Sequence, residues 1–249
     1  FAFYAYKEIV SRKCDAIFGY NFISYIPSFL AGKKINAKKI ATYHETWVGK
    51  WIKNTNILVG LLGEIWERLV LKFNWDKFYA VSQFTKNKLI DNGIDKEIIK
   101  VIPNGIDLNL YKFNNLSKFR WPSLCYAGRL TINKRIADII KSIKYLKKYY
   151  PKINLKIIGK GPENKNLRRL VKILSLEENV DFYGHINSHK KFLRTMGSCH
   201  IFVSASILEG FGITVIEACA LGLPCVLSDL EPYIEITKNG KGVLFFERT

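Results

Sequence analysis

From Asp15 onward, short runs of β-branched and aromatic residues alternate with longer segments whose apolar positions recur at helical spacing. That alternation predicts an α/β fold built on parallel strands. In the first half the pattern predicts strands over residues 16–20, 39–43, 78–82 and 99–102, and helices near 22–30, 57–73 and 83–92, the last stopped by Asn92-Gly93. In the second half strands are expected at 123–127, 154–158, 180–183, 200–204, 225–228 and 242–245. Helices are expected at 134–149, 164–174, 190–196 and 212–221, with a short piece near Pro232. Six strands so spaced make most of a doubly wound domain. Residues 103–122, with Asn104-Gly105, two prolines and little periodicity, read as an interdomain connection. The domains are accordingly placed at 1–121, a partial Rossmann-like domain with its linker, and 122–249, a second Rossmann-like domain. Within 57–73, Leu58, Leu61, Leu62, Ile65, Leu69 and Phe73 share one helical face, for which burial against the sheet is the expectation and a membrane surface the alternative.

Composition narrows the class. The chain has 249 residues, 48% of them apolar and 24% charged, which supports a folded core without disulfides and excludes disorder as the main description. The longest apolar stretch, 57–62, is far short of the roughly 20 residues that span a bilayer. Lys plus Arg total 39 against 21 Asp plus Glu, a formal charge of +18 that divides evenly between the halves. Such a field suits an anionic partner, whether a phosphate, a nucleic acid or an acidic membrane, without choosing among them. Five cysteines (Cys14, Cys125, Cys199, Cys219, Cys225), odd in number and without a C-x-x-C pair, read as buried hydrophobes in a reducing compartment. The expected location is therefore cytoplasmic, with the inner face of a membrane as the alternative. The start lacks Met, a basic leader region and a cleavage pattern, and so reads as an internal segment of something longer.

The most specific stretch is Ser204-Ala-Ser-Ile-Leu-Glu-Gly-Phe-Gly-Ile-Thr-Val-Ile-Glu-Ala218, a strand, a glycine turn and a helix. A helix opening at Gly210 to Ile213 would offer amide donors and a positive dipole end to a phosphate. Glu209 and Glu217, eight positions apart, are on spacing alone also compatible with one Glu near a helix start and one on a solvated face. Arg129 and Lys134 straddle the loop after the 123–127 strand, at the edge where open α/β sheets bind ligands, and two cations there suit a diphosphate as well as they suit plain solvation. The turn Gly159-Lys-Gly-Pro-Glu163 is either a plain strand-to-helix turn or a phosphate cradle around Gly161. His185 and His189 lack a third ligand and the Glu of a metalloprotease helix, so no metal site is expected.

Together these residues resemble the retaining GT-B glycosyltransferases of family 4, also called group 1. The resemblance rests on Val101-Ile-Pro-Asn-Gly-Ile-Asp107, Gly128-Arg-Leu-x(3)-Lys134, Ile157-Ile-Gly-Lys-Gly-Pro-Glu163 and Val180-Asp-Phe-Tyr-Gly-His-Ile186. It continues through Glu209-Gly-Phe-Gly-x(4)-Glu217, Gly222-Leu-Pro-Cys-Val226 and Gly242-Val-Leu-Phe245. It implies two Rossmann-like domains facing a cleft, the first incomplete because its opening strand and glycine-rich loop are missing, and the closing C-terminal helices absent. By the same resemblance Arg129 and Lys134 hold the donor diphosphate, Glu217 the ribose hydroxyls, and Glu209 the transferred sugar. The backbone at Gly210, Phe211, Gly212, Ile213 and Thr214 assists at the phosphate, and His185 and Ile186 lie in the base-binding loop. Thr42-Tyr-His-Glu45 resembles the family's first-domain segment whose histidine faces the reacting sugar, which makes His44 a catalytic candidate beside Glu209, Arg129 and Lys134.

The expected reaction transfers a glycosyl group, with retention, from a UDP-sugar or GDP-sugar to a sugar, glycan or lipid-linked acceptor. It is expected to need no cofactor or metal, because no Asp-x-Asp anchors one. Peripheral membrane contact stays open, and no nucleic-acid partner is expected. The alternatives are a non-catalytic nucleotide-sugar or nucleic-acid binding module and another GT-B enzyme such as a phosphorylase or epimerase.

Overall fold

The computed structural model describes every residue except Lys13, Asn114, Asn239, Arg248 and Thr249. The chain forms two compact units, Phe1–Asn104 and Gly105–Thr249. The segment read as a connection belongs to the second unit from Gly105 onward.

The first unit runs α1 (Ala2–Ser11), β1 (Ala16–Gly19), α2 (Phe22–Ile35), β2 (Lys38–Tyr43), α3 (Trp51–Asn54), α4 (Ile57–Leu71), β3 (Lys77–Ala80), α5 (Gln83–Asp91) and β4 (Ile99–Val101). Its four strands lie parallel in chain order, with Ile17 beside Lys39, Ala41 beside Phe78 and Phe78 beside Ile99. Asn21 starts α2 with a reciprocal capping box with Ser24, satisfying amides that the first turn would otherwise leave open. Tyr25, Tyr43, Val70, Trp75, Phe78 and Leu89 form the core, with Tyr25 and Tyr43 stacked at 5.0 Å.

α4 docks by an unexpected face. Gly60 and Gly63 let α3 approach closely: a Cβ at Gly60 would meet the Ile52 backbone at 2.6 Å. Glu67, Val70 and Leu71 continue that side into the interior. The face on which burial was expected is consequently turned outward, with Leu58, Leu62, Ile65 and Leu69 each more than half exposed. The helical period was right and the docked side was the opposite one, because two glycines on one side permit a contact that branched side chains would block.

The second unit runs β5 (Ser123–Ala127), α6 (Ile136–Leu146), β6 (Asn154–Ile158), α7 (Asn164–Ile173), β7 (Val180–Gly184), α8 (His189–Gly197), β8 (Ile201–Ser204), α9 (Ile213–Ala220), β9 (Cys225–Ser228), α10 (Glu231–Thr237) and β10 (Val243–Phe246). The parallel sheet has the order β10-β9-β8-β5-β6-β7. Counted within the unit, that is the doubly wound order, and the winding reverses between β5 and β8. Both faces are covered, one by a cluster around Ile140, Ile143, Leu155 and Ile157, the other by one around Met196, Phe202, Val215 and Tyr233.

The helix expected over 134–149 is shorter. A 3-10 turn occupies Ile132–Lys134, Arg135 takes a left-handed φ of 51°, and only then does α6 begin. At its far end Tyr150 precedes Pro151, which disfavours helical backbone, and the chain closes with tighter bonds such as Tyr149 N–H to Leu146 O at 3.0 Å.

Candidate functional site

In an open α/β sheet the crevice at the carboxyl ends of the strands, where the winding reverses, is the natural ligand site. Here it is bordered by the loop after β5, carrying Arg129 and Lys134, and the loop after β8, carrying Glu209 to Gly212. A cavity of about 570 Å³ opens there, lined by Gly128, Arg129, Gly159, Lys160, His185, Ile186, His189 and Thr214 among others. A larger hollow of about 690 Å³, lined by residues such as Asn109, Phe113 and Arg194, is bordered by no strand end. The smaller cavity is therefore the candidate.

Three loops are stitched together around it. Gly128 N–H donates to Ile158 O at 3.0 Å, Leu130 N–H to Lys160 O at 3.0 Å, and Gly159 N–H to Gly184 O at 2.8 Å. The approach is so close that a Cβ at Gly161 would lie 2.3 Å from Leu130 O. Packing between two loops is thus sufficient to require glycine at this position.

Arg129 is exposed, and among the described residues its side chain forms no ion pair. Lys134 is largely buried and its Nζ lies 2.6 Å from Glu209 Oε1. That same oxygen accepts from Ser206 Oγ at 3.1 Å and Tyr233 OH at 3.0 Å, and Tyr233 OH lies 2.9 Å from Ser204 Oγ. Burial, and secondarily the Glu209 charge, push the Tyr233 phenol well above its ordinary pKa, so it stays a neutral donor. Glu209 is therefore held by one cation and two hydroxyls rather than waving in solvent.

Gly212 enters α9 with φ 99°, and no side chain caps the helix. Its first turn, Ile213 and Thr214, faces the end of the sheet with the positive end of the helix dipole. Glu217, 8% exposed, sits one turn further on. Its Oε1 accepts from Tyr111 OH at 3.1 Å and lies 3.2 Å from His189 Nε2. Burial and the adjacent Glu217 carboxylate raise the Tyr111 pKa, which keeps that hydroxyl protonated and donating. Neither partner was legible as such. Tyr111 is 106 positions away, and the spacing of His189 from His185 points only toward metal ligation, not toward Glu217.

Arg129, Lys134, Gly161, His185, Ile186, Glu209, Gly210, Phe211, Gly212, Ile213, Thr214 and Glu217 all belong to the second unit. His44 belongs to the first, directly after β2. It is exposed on one side, while the surrounding protein removes enough water to hold its pKa below the usual imidazole value. Among the described residues no group of three or more His, Cys, Asp or Glu is arranged to hold a metal ion.

Two parallel-sheet α/β domains, the second doubly wound, make up a GT-B α/β fold, and solved GT-B structures cover the chain. One is the crystal structure of Anabaena HepE in complex with UDP and glucose, with a TM-score of 0.82 and 21% identity over 99% of this chain and 67% of that one. Another is sucrose-phosphate synthase from Thermosynechococcus elongatus, with a TM-score of 0.76 and 21% identity over 94% of this chain and 61% of that one. The chain belongs to the glycosyl transferases group 1 family, whose model matches residues 111–249, and the Glycosyltransferase Family 4 model matches residues 1–110. Curated relatives include an O-antigen biosynthesis glycosyltransferase, WclY, from Escherichia coli, 28% identical over 82% of this chain and 57% of that protein. A GDP-mannose:cellobiosyl-diphosphopolyprenol alpha-mannosyltransferase from Xanthomonas campestris is 28% identical over 59% of this chain and 39% of that protein. The matches thus span roughly half the length of these relatives or less.

Proposed function

We propose that the protein is a glycosyltransferase, moving a sugar with retention from a nucleotide-diphosphate sugar to an acceptor hydroxyl in glycan or glycolipid biosynthesis. The observation that carries this reading is the arrangement at the winding reversal: Arg129, Lys160 and Thr214, in the first turn of α9, line one cavity, while nearby Lys134 is paired with Glu209 and Glu217 is held by Tyr111 and His189. A nucleotide sugar runs ribose, diphosphate, sugar. Arg129, Lys134 and the start of α9 meet the diphosphate, whose charge grows as the glycosyl bond breaks. Glu217 takes the ribose hydroxyls, Glu209 the transferred sugar, and His185 and Ile186 border the base. His44, directly after β2, is the catalytic candidate of the first unit. UDP in HepE and GDP-mannose in the Xanthomonas relative support a UDP- or GDP-linked donor, and the latter's diphosphopolyprenol substrate supports a lipid-linked acceptor. The proposed donor contacts lie within residues 122–249, and Tyr111, which holds Glu217, carries the second unit's part in the site to before residue 122.

The test is release of nucleoside diphosphate from UDP- or GDP-sugars only when an acceptor is present, run with and without EDTA. Acceptor-dependent release is expected, and donor-induced thermal stabilisation should survive EDTA, since fixed cations and a helix end supply the positive charge. Release without acceptor, or stabilisation that EDTA abolishes and Mn²⁺ restores, would overturn the reading or its metal-free form respectively.

The outward face of α4 supports membrane contact at a cytoplasmic face. Among the described residues no helix is long and apolar enough to cross a membrane. Leu58, Leu62, Ile65 and Leu69 nevertheless form a continuous exposed stripe, flanked by Lys72 and by Arg68, which is paired with Glu64, in a chain of charge +18. Such a stripe lies in the headgroup boundary of an anionic bilayer, its cations attracted to the lipid phosphates. The chain should sediment with anionic vesicles, and Leu62→Glu with Ile65→Glu should cut the bound fraction about tenfold without lowering stability. Equal sedimentation of both proteins would refute the assignment.

A further inference from the structure

Glu67 sits in the middle of α4 with none of its surface exposed. Its carboxylate accepts from the Trp51 indole Nε1 at 2.7 Å and from the Trp47 backbone amide, 3.2 Å from each oxygen. One turn earlier Glu64 accepts the Gly49 amide at 2.8 Å from one oxygen and 3.0 Å from the other, while also paired with Arg68. Both bonds land on the segment that follows β2. That segment begins His44-Glu45-Thr46, and the Trp47 indole in turn donates to Glu45 Oε2 at 2.9 Å.

A buried carboxylate held by neutral donors is a costly way to fasten a loop, since an apolar side chain of similar size would fill the same space without desolvating a charge. The fold keeps it where two N–H groups converge, the Trp51 indole and the Trp47 amide, and what they fix is the exit of a strand at the carboxyl edge of the first sheet. We infer that Glu67 is a positioning residue: by tying Trp47 and Trp51 to α4 it sets where His44 and Glu45 stand at the end of β2. The inference rests on the reading of His44 as a group that serves the transferred sugar.

The tie is sensitive to protonation. Burial is the main cause that raises the Glu67 pKa, to about 7, with Glu64 and Glu45 adding to it and the Trp51 and Trp47 hydrogen bonds opposing it. The other ionisable groups around it are Tyr25 on α2, Tyr43 on β2 and Lys50 in the segment itself. As pH falls through 7 the carboxylate gains an O–H that must point among groups that are themselves donors, and its hold on the two tryptophans weakens. The sign for stability follows. An ordinary carboxyl in the unfolded chain titrates near 4.5 and the folded one near 7, so the native state binds the proton more tightly. Stability is therefore greatest below about pH 4.5 on this account and falls as pH rises to 7.

The experiment is a pH series from 5.5 to 8.5 on the ¹⁵N-labelled full chain, following the Trp51 indole and His44 ring resonances, with Trp51→Phe and His44→Gln to assign them. In the wild type the Trp51 signal should titrate with a midpoint near 7, and the His44 signals should follow it. In Glu67→Gln that titration should vanish, the His44 signals should be displaced at every pH, and the melting temperature should lose its decline between pH 5.5 and 7. Should Glu67→Gln not fold, Glu64→Gln, which weakens the Gly49 tie and the Arg68 pair, should displace His44 while the Trp51 signal still titrates, its midpoint lowered because the Glu64 charge no longer raises the Glu67 pKa. A Trp51 signal that stays fixed in the wild type, or titrates unchanged in Glu67→Gln, would overturn the inference. So would His44 signals untouched by either variant. Those results leave the glycosyltransferase reading standing, because that is decided by acceptor-dependent nucleotide release.

Discussion

Glu217→Ala is expected to weaken binding of nucleoside diphosphate and of nucleotide sugar alike, by about tenfold to a hundredfold in calorimetric titration. The magnitude follows from what one carboxylate does there. Its Oε1 already serves Tyr111 and His189, so the carboxylate is fixed in orientation, with its other oxygen available to ribose hydroxyls. Leaving a buried hydroxyl unpaired costs on the order of 1–3 kcal/mol, a factor of about 5 to 150 in affinity. Glu217 stands about 7.5 Å along the axis from Gly212, at ~1.5 Å per residue, which is far enough from a phosphate at the helix end to reach the ribose. Glu209→Ala should behave differently. It releases Lys134, now paired at 2.6 Å, and takes an acceptor from Ser206 and Tyr233, but removes nothing on the ribose side. Nucleoside diphosphate affinity should be spared while turnover falls in the full-length protein. Equal losses in the two variants, or a loss confined to Glu209→Ala, would mean that the ligand runs the other way.

Much of the fold was legible because parallel strands covered on both faces are largely apolar runs, and those of the second unit, such as Cys225–Leu227, are bounded by turn residues. The loop residues of the candidate site were legible for a similar reason: Arg129 with Lys134, and Glu209 with Glu217, each fall within one local motif. What stayed hidden depends on pairs distant in sequence. No spacing rule links Tyr111 to Glu217, and none says that Ser204, Ser206 and Tyr233 share one network below Glu209. The outward face of α4 was hidden for another reason. Periodicity tells which positions share a side of a helix, whereas the docked side was chosen by contacts of Gly60, Gly63 and Glu67 with α3 and the segment before it. Glycine at 159 and 161 is ambiguous in the same way, since a phosphate cradle and a tight loop crossing require the same residue.

Gly159→Ala separates those two requirements and should be the most destabilising single substitution proposed for the second unit. Its φ is 144°, and an added Cβ would lie 1.8 Å from Gly128 O and 2.9 Å from Gly128 C, atoms of backbone that no rotamer change can move aside. The loops after β5 and β6 would have to part by more than an ångström, breaking or stretching the bonds Gly128 N–H to Ile158 O, Leu130 N–H to Lys160 O and Glu163 N–H to Leu130 O. Backbone strain of about 1–3 kcal/mol and two or three bonds at about 1 kcal/mol each give a loss of roughly 3–6 kcal/mol. The melting temperature of the second unit should fall by about 10 °C or more. Gly222→Ala is the control. Gly222 also has a left-handed φ, 71°, but nothing lies within 4 Å of its Cβ position, so only the strain of about 1 kcal/mol should appear. A difference of several degrees between the two variants would show that contact between loops, rather than backbone conformation, makes glycine necessary at 159. Comparable losses would show the reverse. Because the same crossing sets the spacing of Arg129 and Gly159 along the cavity wall, Gly159→Ala should also weaken nucleoside diphosphate binding well below the melting transition, whereas Gly222→Ala should leave it unchanged.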